Sequence, residues 1–342
     1  VTPHDTSGPW YRYWAREDDQ AGMDASRDHT PTIPAEPQAD AVETDDLEDE
    51  VDAFEAPEPV TAPTPERAGR YAAATVLAVA NQKGGVGKTT TSVSLAASLA
   101  ELGLRVLLVD FDPQGNASSG LGLRAHPGQA SVYDVLVDAV PVENAVVPTT
   151  QPGLDLIRAT IDLAGAEVEL VSAFSREHKL RRALDAVRDQ YDAIIIDCPP
   201  SLGLLTVNAM TAADGVIVPI QCEYFALEGL GALRRNVDLI REQLNPQLEM
   251  TGFVLTMLDA RTRLSQQVVD EVRSHFGDRV FKARIPRTVR LAEAPGFGQP
   301  ITQFDPSSRG AMAYRRLAQE VVERLDRRAD DQQRDTEQGA VA

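Results

Sequence analysis

The chain has 342 residues, 43% of them hydrophobic and 25% charged, enough to bury a full core and too many for a disulfide-stapled mini-domain. Its 33 basic residues face 52 acidic ones, a formal net charge of −19, so a coat of positive charge is excluded and any nucleic-acid site has to be local. Two cysteines, Cys198 and Cys222, exclude a disulfide framework and a four-cysteine zinc site within one chain and fit a reducing cytoplasm. No apolar run reaches 18 residues and no basic-then-apolar leader is present, so the expectation is a soluble, unexported protein with no membrane contact.

Residues 1–70 carry 18 acidic against 5 basic residues and 9 of the 22 prolines. The block Glu43-Thr44-Asp45-Asp46-Leu47-Glu48-Asp49-Glu50 repels itself and has little to bury, so 1–70 reads as a disordered acidic tail. Within it Trp10-Tyr11-Arg12-Tyr13-Trp14 holds both tryptophans of the chain; it reads either as chance exposure in a disordered arm or as a short motif docking a polar or scaffold protein.

From Tyr71 short apolar runs alternate with amphipathic stretches. Strands are predicted at Val76–Ala80, Val106–Asp110, Leu154–Arg158, Ala193–Asp197, Val216–Ile220 and Gly252–Met257. Helices are predicted at Thr89–Leu102, Lys179–Gln190, Leu202–Ala212, Leu227–Leu244, Ser265–Phe276 and about Gly310–Leu325, with Asp326–Ala342 as a frayed end. Strands that are apolar throughout and separated by helices indicate a mostly parallel, doubly wound α/β sheet with helices on both faces. The chain thus divides into the tail 1–70, an α/β domain over 71–328 and a flexible end over 329–342.

The strongest signal follows the first strand: Asn81-Gln82-Lys83-Gly84-Gly85-Val86-Gly87-Lys88-Thr89-Thr90, opening into a helix. Glycines let the backbone N–H groups approach phosphate oxygens, the helix N-terminus adds positive potential, Lys88 reaches β/γ-phosphates and the Thr89 hydroxyl suits Mg²⁺. Gln82 stands where the common phosphate-loop pattern has glycine, and Lys83 adds a second lysine. Two carboxylate loops sit at other strand ends. One is Asp110-Phe111-Asp112-Pro113-Gln114-Gly115-Asn116; the other is Asp197-Cys198-Pro199-Pro200-Ser201, a Walker-B-like carboxylate able to hold Mg²⁺ through water.

Together Lys83–Thr89, Asp110–Asn116 and Asp197–Pro200 resemble the ParA/MinD family of deviant Walker ATPases, which are P-loop NTPases. Gln221–Gly229 and Ile285–Pro295 are similar to the chromosomal ParA, or Soj, branch. The resemblance implies an ATPase whose two protomers close around two ATP molecules, with Mg²⁺, and separate after hydrolysis. It implies nucleotide contact by Lys83, Gly84, Gly85, Val86, Gly87, Lys88, Thr89, Thr90 and Pro286, with Lys83 crossing to the partner's nucleotide in the manner of an arginine finger. Asp112 would orient the attacking water, and Thr89, Asp110 and Asp197 would surround magnesium. It also implies that the ATP dimer binds nucleoid DNA without sequence preference through Arg261 and Arg290, and that a ParB-type centromere-binding protein stimulates hydrolysis and release. Lys282, Arg284 and Arg287 add positive charge nearby. The alternatives are a related ATPase positioning a plasmid or protein cargo, a MinD-like membrane-surface ATPase, an iron–sulfur reductase using Cys198 and Cys222, and a non-enzymatic scaffold that only binds nucleotide. The polar end Asp326–Gln333 speaks against the membrane reading, and the apolar settings of the cysteines against the cluster.

Overall fold

The computed structural model describes residues 71–341 except 72, 127 and 224–229, and leaves the side chains of 331–333 and 335–341 aside. The expectations for residues 1–70, with Trp10–Trp14, and for Tyr224–Gly229 lie outside the described residues.

Eight strands form one sheet: β1 Thr75–Val79, β2 Val106–Asp110, β3 Val146–Pro148, β4 Leu154–Ile157, β5 Ala193–Asp197, β6 Gly215–Gln221, β7 Glu249–Leu258 and β8 Val280–Pro286. Their order is β3-β4-β2-β5-β1-β6-β7-β8, and every pairing is parallel except β3 with β4. The main covering helices are α1 Lys88–Glu101, α2 Lys179–Asp185, α3 Leu204–Ala212, α4 Leu230–Gln243, α5 Arg263–Phe276 and α6 Arg309–Val341.

Strand alternation decides which helices meet which face. Val76, Ala78, Leu107, Val109, Ile194 and Ile196 point to the face covered by α2 to α5, through residues such as Leu184, Leu205, Val237 and Val269. Leu77, Val79, Leu108, Ile195 and Ile217 point the other way, onto Leu95 and Leu99 of α1 and Tyr314, Leu317 and Val321 of α6. Since both faces are covered, all five residues of β2 and of β5 are buried, including the aspartates that end them. Parallel crossovers bring the C-terminal ends of these strands to one edge, and β5, lying between β1 and β2, brings the phosphate loop and both carboxylate loops together there.

The structure adds two edge strands to the expected six. β3 has three residues and ends in proline; β8 alternates, with Lys282 exposed and Phe281, Ala283 and Ile285 buried. It also corrects the chain's end. The last helix does not stop near Leu325 to leave a frayed tail; α6 is continuous over 33 residues. No proline interrupts Asp326–Gln338, most of those residues propagate helix well, and Tyr71 Oη donates to Asp326 Oδ1 at 2.5 Å while Arg328 donates to the Asp214 carbonyl at 2.9 Å. The predicted helix Lys179–Gln190 is shorter, α2 ending at Asp185 with a separate 3₁₀ turn at Arg188–Gln190.

Candidate nucleotide site

The loop between β1 and α1 is fastened from both sides. Asn81 Nδ2 donates to the Pro219 carbonyl of β6 at 2.8 Å, and Asn81 Oδ1 accepts from Lys83 N at 3.0 Å. On the other side Thr256 Oγ1 of β7 donates to the Val86 carbonyl at 2.8 Å. Gly85 and Gly87 take φ of 74° and 86°, backbone that side chains rarely adopt. A Cβ at Gly84 or Gly85 would meet nothing within 4 Å, so the loop has an open front for a group that approaches backbone N–H donors. Gly87 precedes α1, whose first N–H groups converge on the same point.

Lys88 is buried, and its Nζ donates to the Lys83 carbonyl at 3.1 Å, spanning the loop. Burial lowers its pKa, and the charges of Asp197 and Asp112 oppose that shift. Lys83 is half-buried at the start of the loop.

The two strand-terminal aspartates meet directly: Asp110 and Asp197 are register partners on β2 and β5. Asp110 Oδ2 accepts from Ser118 N at 2.7 Å and from Ser118 Oγ at 2.6 Å; Asp197 Oδ1 accepts from Ser92 Oγ at 2.8 Å. The other oxygen of each, Asp110 Oδ1 and Asp197 Oδ2, is buried without a hydrogen-bond partner. Burial raises the pKa of Asp110 to about 6. Burial, then the charge of Asp110, raises that of Asp197 to about 7 against opposing hydrogen bonds from Thr89 and Ser92. Two orphaned carboxylate oxygens beside the Thr89 hydroxyl suit a hydrated divalent cation. Among the described residues no three His, Cys, Asp or Glu side chains converge, but Mg²⁺ keeps waters and phosphate oxygens and needs only one or two protein carboxylates.

Asp112 is buried two residues further on, with Oδ1 accepting from Gln114 N at 3.0 Å in a turn closed by Gly115 at φ 62°. Ser118 joins this loop to the segment just after β4, its Oγ accepting from Ala159 N at 3.2 Å. A cleft of about 440 Å³ opens beside the first turn of α1, lined by Thr89, Thr90, Asn116, Leu291, Pro295 and Ile301 among others. Neither Pro286 nor either lysine lines it.

This geometry has close counterparts in known proteins. Residues 74–250 match a family described as an AAA domain. The chain is 59% identical over 247 residues to the sporulation initiation inhibitor protein Soj of Bacillus subtilis, covering 72% of this chain and 98% of that one. It is 55% identical over 257 residues to the chromosome partitioning protein ParA of Caulobacter vibrioides, covering 74% and 96%. The chain belongs to the Soj/ParA family. Among solved structures, a protein from Mycobacterium smegmatis described as cobyrinic acid a,c-diamide synthase superposes with a TM-score of 0.66 at 42% identity, covering 74% of this chain and 96% of that one. It was solved with ADP and magnesium and again with an ATP analogue and magnesium.

Within the Soj/ParA frame the expected residues fall into two groups. Lys83 to Thr90, Asp110, Asp112 and Asp197 gather at the C-terminal ends of β1, β2 and β5. Pro286 ends β8 as the register partner of Leu258 at the end of β7. Arg261 and Arg290 follow those same strand ends by three and four residues. The Arg261 side chain is 90% exposed and bidentate to Asp259, at 3.1 and 3.2 Å. Arg290 lies between Glu293 at 3.2 Å and Asp305 at 3.4 Å, over the Phe304 ring. Lys282 and Arg284 are on β8 itself, separated from Arg287 and Arg290 by the strand end. Both cysteines are buried; burial pushes both thiols up, that of Cys222 to about 12, which disfavours the thiolates a cluster would require. Sequence reasoning missed Asn81 as a fastener, Ser92 and Ser118 as carboxylate partners, and Thr256. For Thr256 and for Ser92 with Asp197, only the three-dimensional register makes the contact.

Proposed function

We propose that the chain is an ATP-dependent chromosome-partitioning ATPase whose ATP-bound dimer binds nucleoid DNA non-specifically and lets go when a ParB-type partner stimulates hydrolysis. The carrying observation is the combination, in a Soj/ParA member, of a two-lysine phosphate loop with buried strand-end aspartates that each retain an unpaired oxygen. ATP and Mg²⁺ fit this set. Backbone N–H groups of Gly84 to Thr90 and Lys88 hold the β/γ-phosphates; Pro286 flanks the nucleotide; Thr89, Asp110 and Asp197 are the residues for Mg²⁺, which when bound neutralises developing phosphate charge. Asp112 accepts a hydrogen bond from the attacking water and orients it, and Lys83 of one protomer stabilises charge at its partner's nucleotide. None of these groups is a strong base, so turnover is slow until a partner organises the site.

DNA contact by Arg261 and Arg290 supplies sequence-blind, salt-sensitive affinity, and pairing two protomers doubles it. The location that follows is cytoplasmic and nucleoid-associated. Among the described residues no helix is long and apolar enough to cross a membrane, and the apolar side of α6, from Ala311 to Leu325, is already buried on the sheet. The test is DNA retention with ATP, ADP and no nucleotide, beside sedimentation. Replacing Arg261 and Arg290 together with Glu should abolish retention and leave ATP-dependent dimerisation intact. Full retention by the double variant refutes the assignment of the arginines, and retention independent of nucleotide refutes the switch.

A further inference from the structure

Strand β7 ends in a bulge. Between the pairs Leu255↔Arg284 and Leu258↔Pro286 it uses three steps where β8 uses two, and Met257 within that interval stands at φ 52°. Left-handed backbone at a methionine is costly and persists where surroundings over-determine it; bulges next to functional sites commonly re-aim the chain. Here the surroundings are the phosphate loop. Thr256, 2% exposed, donates to the Val86 carbonyl, and Met257 Cε lies 3.9 Å from where a Cβ of Gly87 would stand. The Thr256 carbonyl accepts from Cys222 N at 3.0 Å, so the segment is gripped from β6 as well. Two residues beyond Met257 begins Asp259, which holds Arg261, while the Leu258 carbonyl accepts from Arg287 N at 3.0 Å and so ties in the segment leading to Arg290.

We propose that Thr256 and Met257 are positioning residues that carry the state of the phosphate loop to the two arginine segments. This rests on the reading that Arg261 and Arg290 meet DNA. A phosphate entering the loop has to share the backbone at Val86 and Gly87 that the bulge touches. In this relay movement of the Val86 carbonyl draws on Thr256, and Met257 leaves its left-handed φ for extended backbone, which shifts the strand end. Leu258 moves with it, and both arginine segments hang from Leu258. Because such coupling is reciprocal, DNA should tighten the nucleotide by the factor by which the nucleotide tightens DNA.

The experiment compares the full chain with Thr256→Val, Thr256→Ser and Met257→Gly, the last accepting φ 52° without strain and removing the side chain beside the phosphate loop. Hydrogen exchange over residues 258–264 is read with a non-hydrolysable ATP analogue, ADP and no nucleotide, and DNA retention is measured in the same states. We expect the parent and Thr256→Ser to change exchange with the analogue. In Thr256→Val and Met257→Gly that response should be lost, and the ratio of DNA affinities with analogue and ADP should fall about tenfold. A parent whose exchange ignores nucleotide, or a Thr256→Val chain that responds like the parent, overturns the proposal. So does loss of analogue binding in both Thr256 variants, which would make the residue part of the phosphate cradle alone. A parent that retains no DNA in any state refutes the DNA reading, and the exchange data still decide for or against the relay.

Discussion

Asp110 and Asp197 end adjacent strands side by side, each satisfied on one oxygen and bare on the other. With pKa values near 6 and 7, both bind protons in the folded chain at a pH where an unfolded Asp is already ionised. The stabilisation from these raised values is complete below about pH 4. It is lost as pH climbs through 6 and 7. The nucleotide-free chain should therefore melt lower at pH 8 than at pH 6, and Asp197→Asn should flatten that slope and raise the melting temperature at pH 8. Parallel slopes for parent and variant would show that the two carboxylates do not control it. At the same scale, Lys88→Ala removes the fixed counter-charge of the loop and should abolish ATP binding in a fluorescent-nucleotide titration. Asp112→Ala should bind ATP like the parent and lose at least about a hundredfold in hydrolysis, the usual worth of a group acting on the attacking water. Unchanged phosphate release would remove Asp112 from that role.

Elements hold these residues through ties at both ends of the sheet. At the end away from the site, Asp214 Oδ2 accepts from Val76 N at 2.8 Å and pairs closely with Arg188, while Asp214 Oδ1 lies 3.7 Å from Arg328 of α6. Asp214→Ala would leave the Val76 N–H without its acceptor and remove the carboxylate shared by Arg188 and Arg328, which keep Asp185 and Glu249, so it should cost about 2 kcal/mol in urea unfolding. A loss below about 1 kcal/mol would mean that solvent replaces the carboxylate. The central strands and the phosphate loop were legible in the sequence because uninterrupted apolar runs and glycine spacing are local signals. β8 was not, since Lys282 and Arg284 on an edge strand read as surface charge, and β3 is too short and proline-bounded to show a period. The extension of α6 past Leu325 rests on helix-propagating residues without a proline, and its start at Asp326 and Arg328 is tied to Tyr71 and Asp214, far away in the chain. The carboxylates were visible as strand ends, but their hydrogen-bonding serines were not: Ser92 meets Asp197 only across the fold, and Ser118, eight residues after Asp110, reaches it only because the loop turns back.

For the molecule as a whole, the formal charge of −19 means that any polyanion is repelled at long range and held only by a few local cations. Deleting residues 1–70, with 18 acids against 5 bases, should leave ATP hydrolysis intact and raise DNA affinity modestly at low salt, since every phosphate-loop residue lies beyond Val76. An inactive or insoluble truncation would assign the segment to the fold. If instead only the cellular position changes, Trp10–Trp14 is the segment to mutate next.

Arg261 and Arg290 already rest on carboxylates, Asp259 for one and Glu293 with Asp305 for the other. On the DNA reading a phosphate therefore exchanges one anion for another at each arginine, and little heat is released by the exchange. What drives the union is the freeing of small ions condensed on the duplex. A calorimeter should record a reaction that is nearly athermal and entropic, and warming should alter its strength far less than a modest rise in potassium chloride. A chromosome offers the same exchange everywhere along its length, so the protein would drift over it from one equivalent phosphate to the next.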